Sequence, residues 1–169
     1  MTSGIDVTEA SQFEVWRLVA VVVVVALVIA YAVLSGVWVG TDSTWYRSLE
    51  QPAWQPPPWV FGVIWPYNFV VLAVSCSVVA WRSSGSYIAT MMIFLLASIA
   101  AALAWAYLFY VPHELATAAI ALSAAAALTV PIVVIAFLTG PLWGALLVPY
   151  QVWLVLAASL SWGYQRLHG

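Results

Sequence analysis

Tryptophan is the residue type in this sequence that has most to offer chemically. The chain holds eleven Trp among 169 residues, and Trp65, Trp105 and Trp153 fall well inside long apolar stretches. Trp near the end of a membrane span usually marks the membrane–water interface, which fits these three positions poorly. An indole offers a flat apolar face and one N–H donor. Any reaction would have to run through a bound ligand, light or oxygen, with Trp as the reactive neighbour.

The other reactive side chains form no catalytic constellation in the sequence. Cys76 is the single cysteine, so it has no partner for a disulfide or a thiolate metal site. His113 and Glu114 are adjacent in a short polar stretch, whereas zinc takes three or four ligands. There is no nucleophile–base arrangement and no glycine-rich phosphate loop. The sequence therefore favours a binding protein over an enzyme, and it predicts neither a metal site nor an obligatory cofactor.

The elements that must position the tryptophans are membrane helices. The chain is 66% hydrophobic and 6% charged, with a mean hydropathy of +1.05. Its charges leave long uncharged intervals, and a bilayer core needs about 20 apolar residues per helix. We predict an all-α membrane protein, a single domain over 1–169 that forms a five-helix transmembrane bundle. The predicted spans are about 16–38, 58–81, 87–111, 115–138 and 142–165, the last two hinged at Thr139-Gly140-Pro141.

The first span and the orientation allow alternatives. Ala30-Tyr31-Ala32 resembles a signal-peptide cleavage site, but the apolar run continues beyond a signal's usual length and acidic residues precede it, so we expect a retained helix. Arg17 and Arg82 fall on one side of the membrane and Arg47 and Arg166 on the other. The two sides carry equal numbers of arginines, so the positive-inside rule does not orient the bundle. A bacterial plasma (inner) membrane is the expected location.

The segment from Trp45 to Phe61 is the most distinctive in the chain. It holds three Trp, one Tyr and four Pro in seventeen residues, directly before a long apolar run. Proline removes backbone donors and fixes φ, so we expect no ordinary helix here. A semi-rigid aromatic and proline-rich first loop over a helix bundle is well placed to cover a pocket for a flat apolar ligand.

Two predicted spans carry stripes of aromatic and polar side chains. The stripes follow helical spacing and comprise Phe61, Trp65, Asn68 and Leu72 in the second span and Trp153, Ala157, Ser161 and Tyr164 in the fifth. Such a stripe serves either helix packing or the lining of a ligand site. Asn68 lies deep in its span, so it either hydrogen-bonds a neighbouring helix or orients the polar edge of a ligand.

Other features of the spans limit the classes of function. No Asp, Glu, Lys, Arg or His lies in the middle of a predicted span, which argues against a proton- or ion-coupled transporter. Small residues on the third and fourth spans allow close helix approach, within one chain or across a homodimer. Pro66, Pro131 and Pro149 are expected to kink their helices and leave room between them. The net charge of −2 provides no basic surface for binding nucleic acid. The apolar spans predict that the lipid bilayer surrounds the protein.

Two groups of residues resemble the signature of the translocator-protein family, also called tryptophan-rich sensory proteins or peripheral benzodiazepine receptors. The first loop contributes Trp45-Tyr46, Leu49, Pro52, Trp54, Pro56-Pro57, Trp59-Val60-Phe61 and Trp65. The fifth span contributes Pro149-Tyr150-Gln151-Val152-Trp153, Leu160-Ser161 and Arg166. The resemblance covers essentially the whole chain and includes the count of five spans.

The resemblance implies a five-helix membrane protein, often dimeric, that binds tetrapyrroles such as protoporphyrin and haem, and in some members sterols and synthetic aromatic drugs. Carried over by position, the ligand site would include Tyr46, Pro56, Phe61, Trp65, Trp105, Trp153 and Ala157, to which the stripes add Asn68 and Ser161. Trp65 and Trp153 match tryptophans associated with porphyrin breakdown in some bacterial members.

Some positions depart from the family pattern. Polar residues that members often place near the ligand are replaced here by Ser98, Ala102, Ala121 and Ser161, and a loop Lys by Gln51. These changes favour a more apolar ligand or weaker binding. Three hypotheses result: a receptor or carrier-like protein for a planar hydrophobic molecule, a light- or oxygen-dependent porphyrin-degrading protein, and an accessory subunit of a larger membrane complex.

Overall fold

The computed structural model describes residues 3–39 and 41–169, with side chains for residue 12, residues 14–39 and residues 41–169. Every regular element in this part of the chain is helical. The helices are α1 (Ser3–Val39), α2 (Ser43–Ser48), α3 (Pro58–Arg82), α4 (Gly85–Tyr110), α5 (Leu115–Thr139) and α6 (Pro141–His168).

Five of these helices are long and apolar enough to cross a membrane, which confirms the predicted bundle. In α1 the apolar stretch is Glu14–Val39, while α3, α4, α5 and α6 qualify over their full lengths. All predicted span ends agree with these bounds within three residues. The predicted hinge is also present, because α5 ends at Thr139 and α6 begins at Pro141, where proline loses no helical hydrogen bond.

The long helices form a closed ring. Going round it, α1 packs on α3, α3 on α6, α6 on α5, α5 on α4, and α4 on α1. Each helix contributes a fully buried side chain to the interior, namely Tyr31, Leu72, Leu95, Leu122 and Leu154. Helices α3, α5 and α6 each continue past an internal proline.

Small side chains bring α4 and α5 together inside this one chain. The Ser98 hydroxyl lies 2.9 Å from the Thr129 hydroxyl, and Thr129 donates a hydrogen bond to the Ala125 carbonyl at 2.8 Å. Ala102 and Ala118 are buried. The alanine-rich faces therefore serve close packing within the bundle, and a homodimer stays a prediction.

The two ends of the bundle differ in character. At one end, the Arg17 guanidinium donates to the backbone carbonyls of Trp81 and Ser83, and the Arg82 guanidinium lies 6.0 Å from the Trp143 ring centroid. Arg17 and Arg82 thus share one side, as the span count predicts. At the other end lies the segment between α1 and α3, which contains α2 and the proline-rich loop.

Candidate ligand-binding site

A cavity of about 450 Å³ lies at the loop end of the bundle. Its lining comes from α1, α3, α4 and α6 and from the segment between α1 and α3. The lining residues are Val39, Tyr46, Arg47, Gln51, Gln55, Pro58, Phe61, Trp65, Trp105, Phe109, Tyr110, Trp153, Ala157, Leu160, Ser161 and Tyr164.

Three tryptophans form the inner end of this cavity, which we call the tryptophan floor: Trp65 on α3, Trp105 on α4 and Trp153 on α6. Each is the lining residue of its helix that lies furthest from the loop. The Trp65 and Trp153 rings meet edge to face, with centroids 6.3 Å apart and planes at 84°. Phe61 meets Trp153 in the same way at 5.2 Å. Such pairs hold the rings in defined orientations, so the floor is preorganised.

An aromatic cluster forms the wall on the α4 side. Phe109 is buried and contacts Trp105, Tyr110 and Tyr164, with ring centroids between 4.9 and 6.0 Å apart. Across the cavity, α6 presents Ala157, whose small side chain leaves space between the aromatic walls. The cavity is thus lined mainly by flat aromatic surfaces.

The outer cover begins with a short helix, which corrects the expectation that the segment from Trp45 onward contains no helix. Helix α2 forms because the Asp42 carboxylate accepts a hydrogen bond from the Trp45 backbone N–H at 2.9 Å and so caps its first turn. The Trp45 ring stacks on His113, with centroids 3.7 Å apart and planes at 12°. His113 adopts a left-handed φ of 61°, and the stack fastens α2 to the turn between α4 and α5.

The rest of the loop is fastened to α6. The Trp54 indole N–H donates to the Ser159 hydroxyl at 3.2 Å, and the His168 Nε2 lies 3.1 Å from the Glu50 carbonyl oxygen. Between these contacts the loop passes so close to Gly163 that an added Cβ would lie 2.7 Å from the Pro52 ring. The absence of a side chain at Gly163 therefore allows the loop to pack directly against α6, and we call this contact the seat of the loop.

The accessible polar groups gather beneath the loop. The Tyr164 hydroxyl hydrogen-bonds the Gln55 side chain and lies 3.3 Å from the Tyr46 hydroxyl. Gln51 also lines the cavity, and Arg47 is the one charged residue in the lining as far as the described residues show. The cavity is therefore polar at the loop end and aromatic at the floor.

Several polar atoms at the inner end are buried without a hydrogen-bond partner in the described part of the chain. They are the indole nitrogens of Trp105 and Trp153 and both amide atoms of Asn68; the Ser161 hydroxyl, about two turns nearer the loop on α6, also has no partner there. Asn68 is 0% exposed and follows Trp65 by one helical turn on α3. Polar groups are thus present at the floor, although neighbouring side chains cover them.

The structure brings most of the predicted site residues to this one cavity. Its lining includes Tyr46, Phe61, Trp65, Trp105, Trp153, Ala157 and Ser161. Pro56 and Asn68 do not line the cavity. Of the three consecutive prolines that begin at Pro56, only Pro58 is among the lining residues. The role of all nine in binding stays a prediction.

The predicted site residues did not include two aromatic lining residues whose signals were present in the sequence. Tyr164 continues the stripe of Trp153 on α6, and Phe109 follows Trp105 by one turn on α4. Ser98 and Ala102, two of the departures from the family pattern, are buried and absent from the lining. Within the described residues, no three His, Cys, Asp or Glu side chains lie together as a metal site would require.

Comparison with known proteins agrees with this architecture. The model of the TspO/MBR family matches residues 18–167. A tryptophan-rich sensory protein of Cereibacter sphaeroides is 32% identical over 134 residues, which is 73% of this chain and 77% of that protein. Protein CrtK of Rhodobacter capsulatus is 28% identical over 76% of this chain and 81% of its own length. The Homo sapiens translocator protein is 25% identical over 73% and 74%. The chain belongs to the TspO/MBR family of integral, multi-pass membrane proteins.

Proposed function

We propose that this protein binds a planar hydrophobic molecule in the cavity beneath the loop, as a receptor or carrier-like protein of a bacterial plasma membrane. The cavity's shape and lining carry the proposal. Its volume of about 450 Å³ falls within the range of small-molecule sites, about 300–1,000 Å³. Its walls are flat aromatic rings from three helices, and a planar ligand can stack on such surfaces.

The resemblance to the translocator-protein family supports a tetrapyrrole such as protoporphyrin or haem, or a sterol-like lipid, as the ligand class. The lining supports a mainly apolar body, since Arg47 at the loop end is its one charged member among the described residues. A charged group on the ligand would be stabilised beside that guanidinium and strongly disfavoured at the tryptophan floor.

The test is a fluorescence titration of the detergent-purified protein with protoporphyrin IX. Replacing Trp65 and Trp153 together with Leu removes two aromatic surfaces, each contributing about 0.5–1.5 kcal/mol of stacking beyond its buried area. We expect the Kd to rise about tenfold or more. Thermal unfolding of the variant should show that the bundle is intact.

A control variant removes two tryptophans that lie outside the cavity. Trp59 and Trp81 are 70% and 45% exposed and do not line the site, so their replacement with Leu should leave the Kd unchanged. An unchanged Kd in the Trp65/Trp153 variant, or an equal loss in the control, would contradict the proposed site.

A further inference from the structure

The inner end of the cavity contains hydrogen-bonding groups that the protein leaves unused. Asn68 is 0% exposed, and neither its amide nitrogen nor its amide oxygen has a partner among the described residues. The indole nitrogens of Trp105 and Trp153 are also buried without a hydrogen-bond partner among the described residues. Burying an unsatisfied amide is unfavourable, and no water in a bilayer core relieves it. Three such residues near one end of a cavity are candidates for contact with a ligand.

These groups lie at the inner end of the cavity and one helical turn below it. Helix α3 runs inward from the loop, so Phe61 lies near the cover, Trp65 belongs to the floor, and Asn68 lies one turn deeper on the same face. At 1.5 Å per residue, the step from Trp65 to Asn68 is about 4.5 Å. Trp105 and Trp153 reach the floor from the two other helices. Asn68 and the two indoles, which we call the polar layer, thus span the floor and the turn below it, and a ligand entering past Phe61 would meet Asn68 last.

The chemistry of the layer defines the group that it can bind. An indole nitrogen only donates a hydrogen bond, whereas an asparagine amide both donates and accepts. An oxygen atom on the ligand can accept from these donors, and a hydroxyl can also donate to the amide oxygen of Asn68. Arg47 lies at the opposite end of the cavity, so a carboxylate at the floor would be buried without a counter-charge. The matching group is a neutral carbonyl or hydroxyl.

We propose that Asn68, Trp105 and Trp153 form a subsite for a neutral carbonyl or hydroxyl group at the leading end of a flat apolar ligand, with any anionic group of that ligand trailing at Arg47. This inference rests on the proposed function and names the ligand's polarity and direction. Asn68 is fully buried and does not line the cavity, so the leading group has to displace side chains of the floor to reach it.

The experiment compares two flat probes that differ in one group, pyrene and 1-hydroxypyrene. Each is titrated into the detergent-purified protein, and energy transfer from tryptophan to the probe is followed against protein-free micelles. One net hydrogen bond gained should make the wild-type protein bind 1-hydroxypyrene about two- to tenfold more tightly than pyrene. Replacing Asn68 with Leu should remove this preference and leave pyrene binding in place.

Ser75→Ala is the matched control. Ser75 is also 0% exposed on α3, and its hydroxyl has no partner in the described chain, but it lies two turns further from the cavity. This variant should keep the wild-type preference. Equal affinities of the wild-type protein for the two probes, or a preference that survives in Asn68→Leu, would overturn the subsite while pyrene binding still supported the proposed function. No saturable binding of either probe would overturn both.

Discussion

The contact between the loop and Gly163 gives the sharpest prediction about how the cavity is covered. A Cβ on Gly163 would lie 2.7 Å from Cγ of Pro52 and 2.9 Å from the Trp54 ring. Carbon atoms in contact are normally about 3.5–4.0 Å apart. The proline ring is rigid and part of the backbone, so Gly163→Ala has to move the loop outward by about 1 Å.

Such a displacement separates the loop from α6. The hydrogen bond from the Trp54 indole to Ser159 is already 3.2 Å long, and the contact between His168 and the Glu50 carbonyl is 3.1 Å. Losing one or two net hydrogen bonds weakens loop docking by about 1–3 kcal/mol. Because 1.4 kcal/mol corresponds to a factor of ten, the undocked population should rise between about fivefold and a hundredfold. The helix itself gains about 0.8–1.0 kcal/mol in propensity from Gly to Ala, so global thermal stability should not fall with it.

Limited proteolysis measures this effect. Arg47 is exposed and offers a tryptic site within the covering segment, so the rate of cleavage after Arg47 should rise in Gly163→Ala. Gly62→Ala is the matched control, because an added Cβ at Gly62 on α3 meets no described atom within 4 Å. Equal cleavage rates in the wild-type protein and Gly163→Ala, or an equal increase in Gly62→Ala, would refute the role of Gly163 as the seat of the loop.

Two further predictions concern the packing of the bundle. The Ser98–Thr129 hydrogen bond should contribute about 0.6 kcal/mol, measured as the coupling energy in a double-mutant cycle of Ser98→Ala and Thr129→Val by unfolding in mixed micelles; zero coupling would contradict it. Gly144→Ala should destabilise the α5–α6 pair by about 1–3 kcal/mol, because its Cβ would overlap the Phe137 ring at 2.2 Å; a thermal midpoint equal to that of the wild-type protein would show that the ring yields freely.

The sequence predicted the bundle well for a physical reason. Spans in a membrane have a required length and exclude charge, so uncharged intervals locate helices almost without reference to packing. The break at Gly140-Pro141 was predictable in the same way, because proline starts a helix readily. Much of the cavity lining was also predictable, because the stripes from Phe61 to Trp65 and from Trp153 to Ala157 follow helical spacing.

Most features that the sequence did not predict depend on contacts between distant segments, and helix α2 is the exception. Helix α2 forms through the Asp42 cap, a local signal that directly precedes the tryptophan- and proline-rich segment. The stack of Trp45 on His113 and the seat at Gly163 join residues far apart in the chain, so neither could be read from spacing. For Asn68, the sequence placed the residue in the membrane interior, but only the packing shows that its amide has no partner among the described residues.

Helix α6 connects the loop to the cavity, because one face of the helix lines the cavity and another face contacts the loop. Ala157, Ser161 and Tyr164 face the cavity, whereas Ser159 and Gly163 face the loop outside it. Tyr164 also hydrogen-bonds the loop from within the cavity. A shift of the loop therefore changes the same helix that carries one wall and part of the floor. We therefore expect that loosening the loop at Gly163 also weakens ligand binding at the floor.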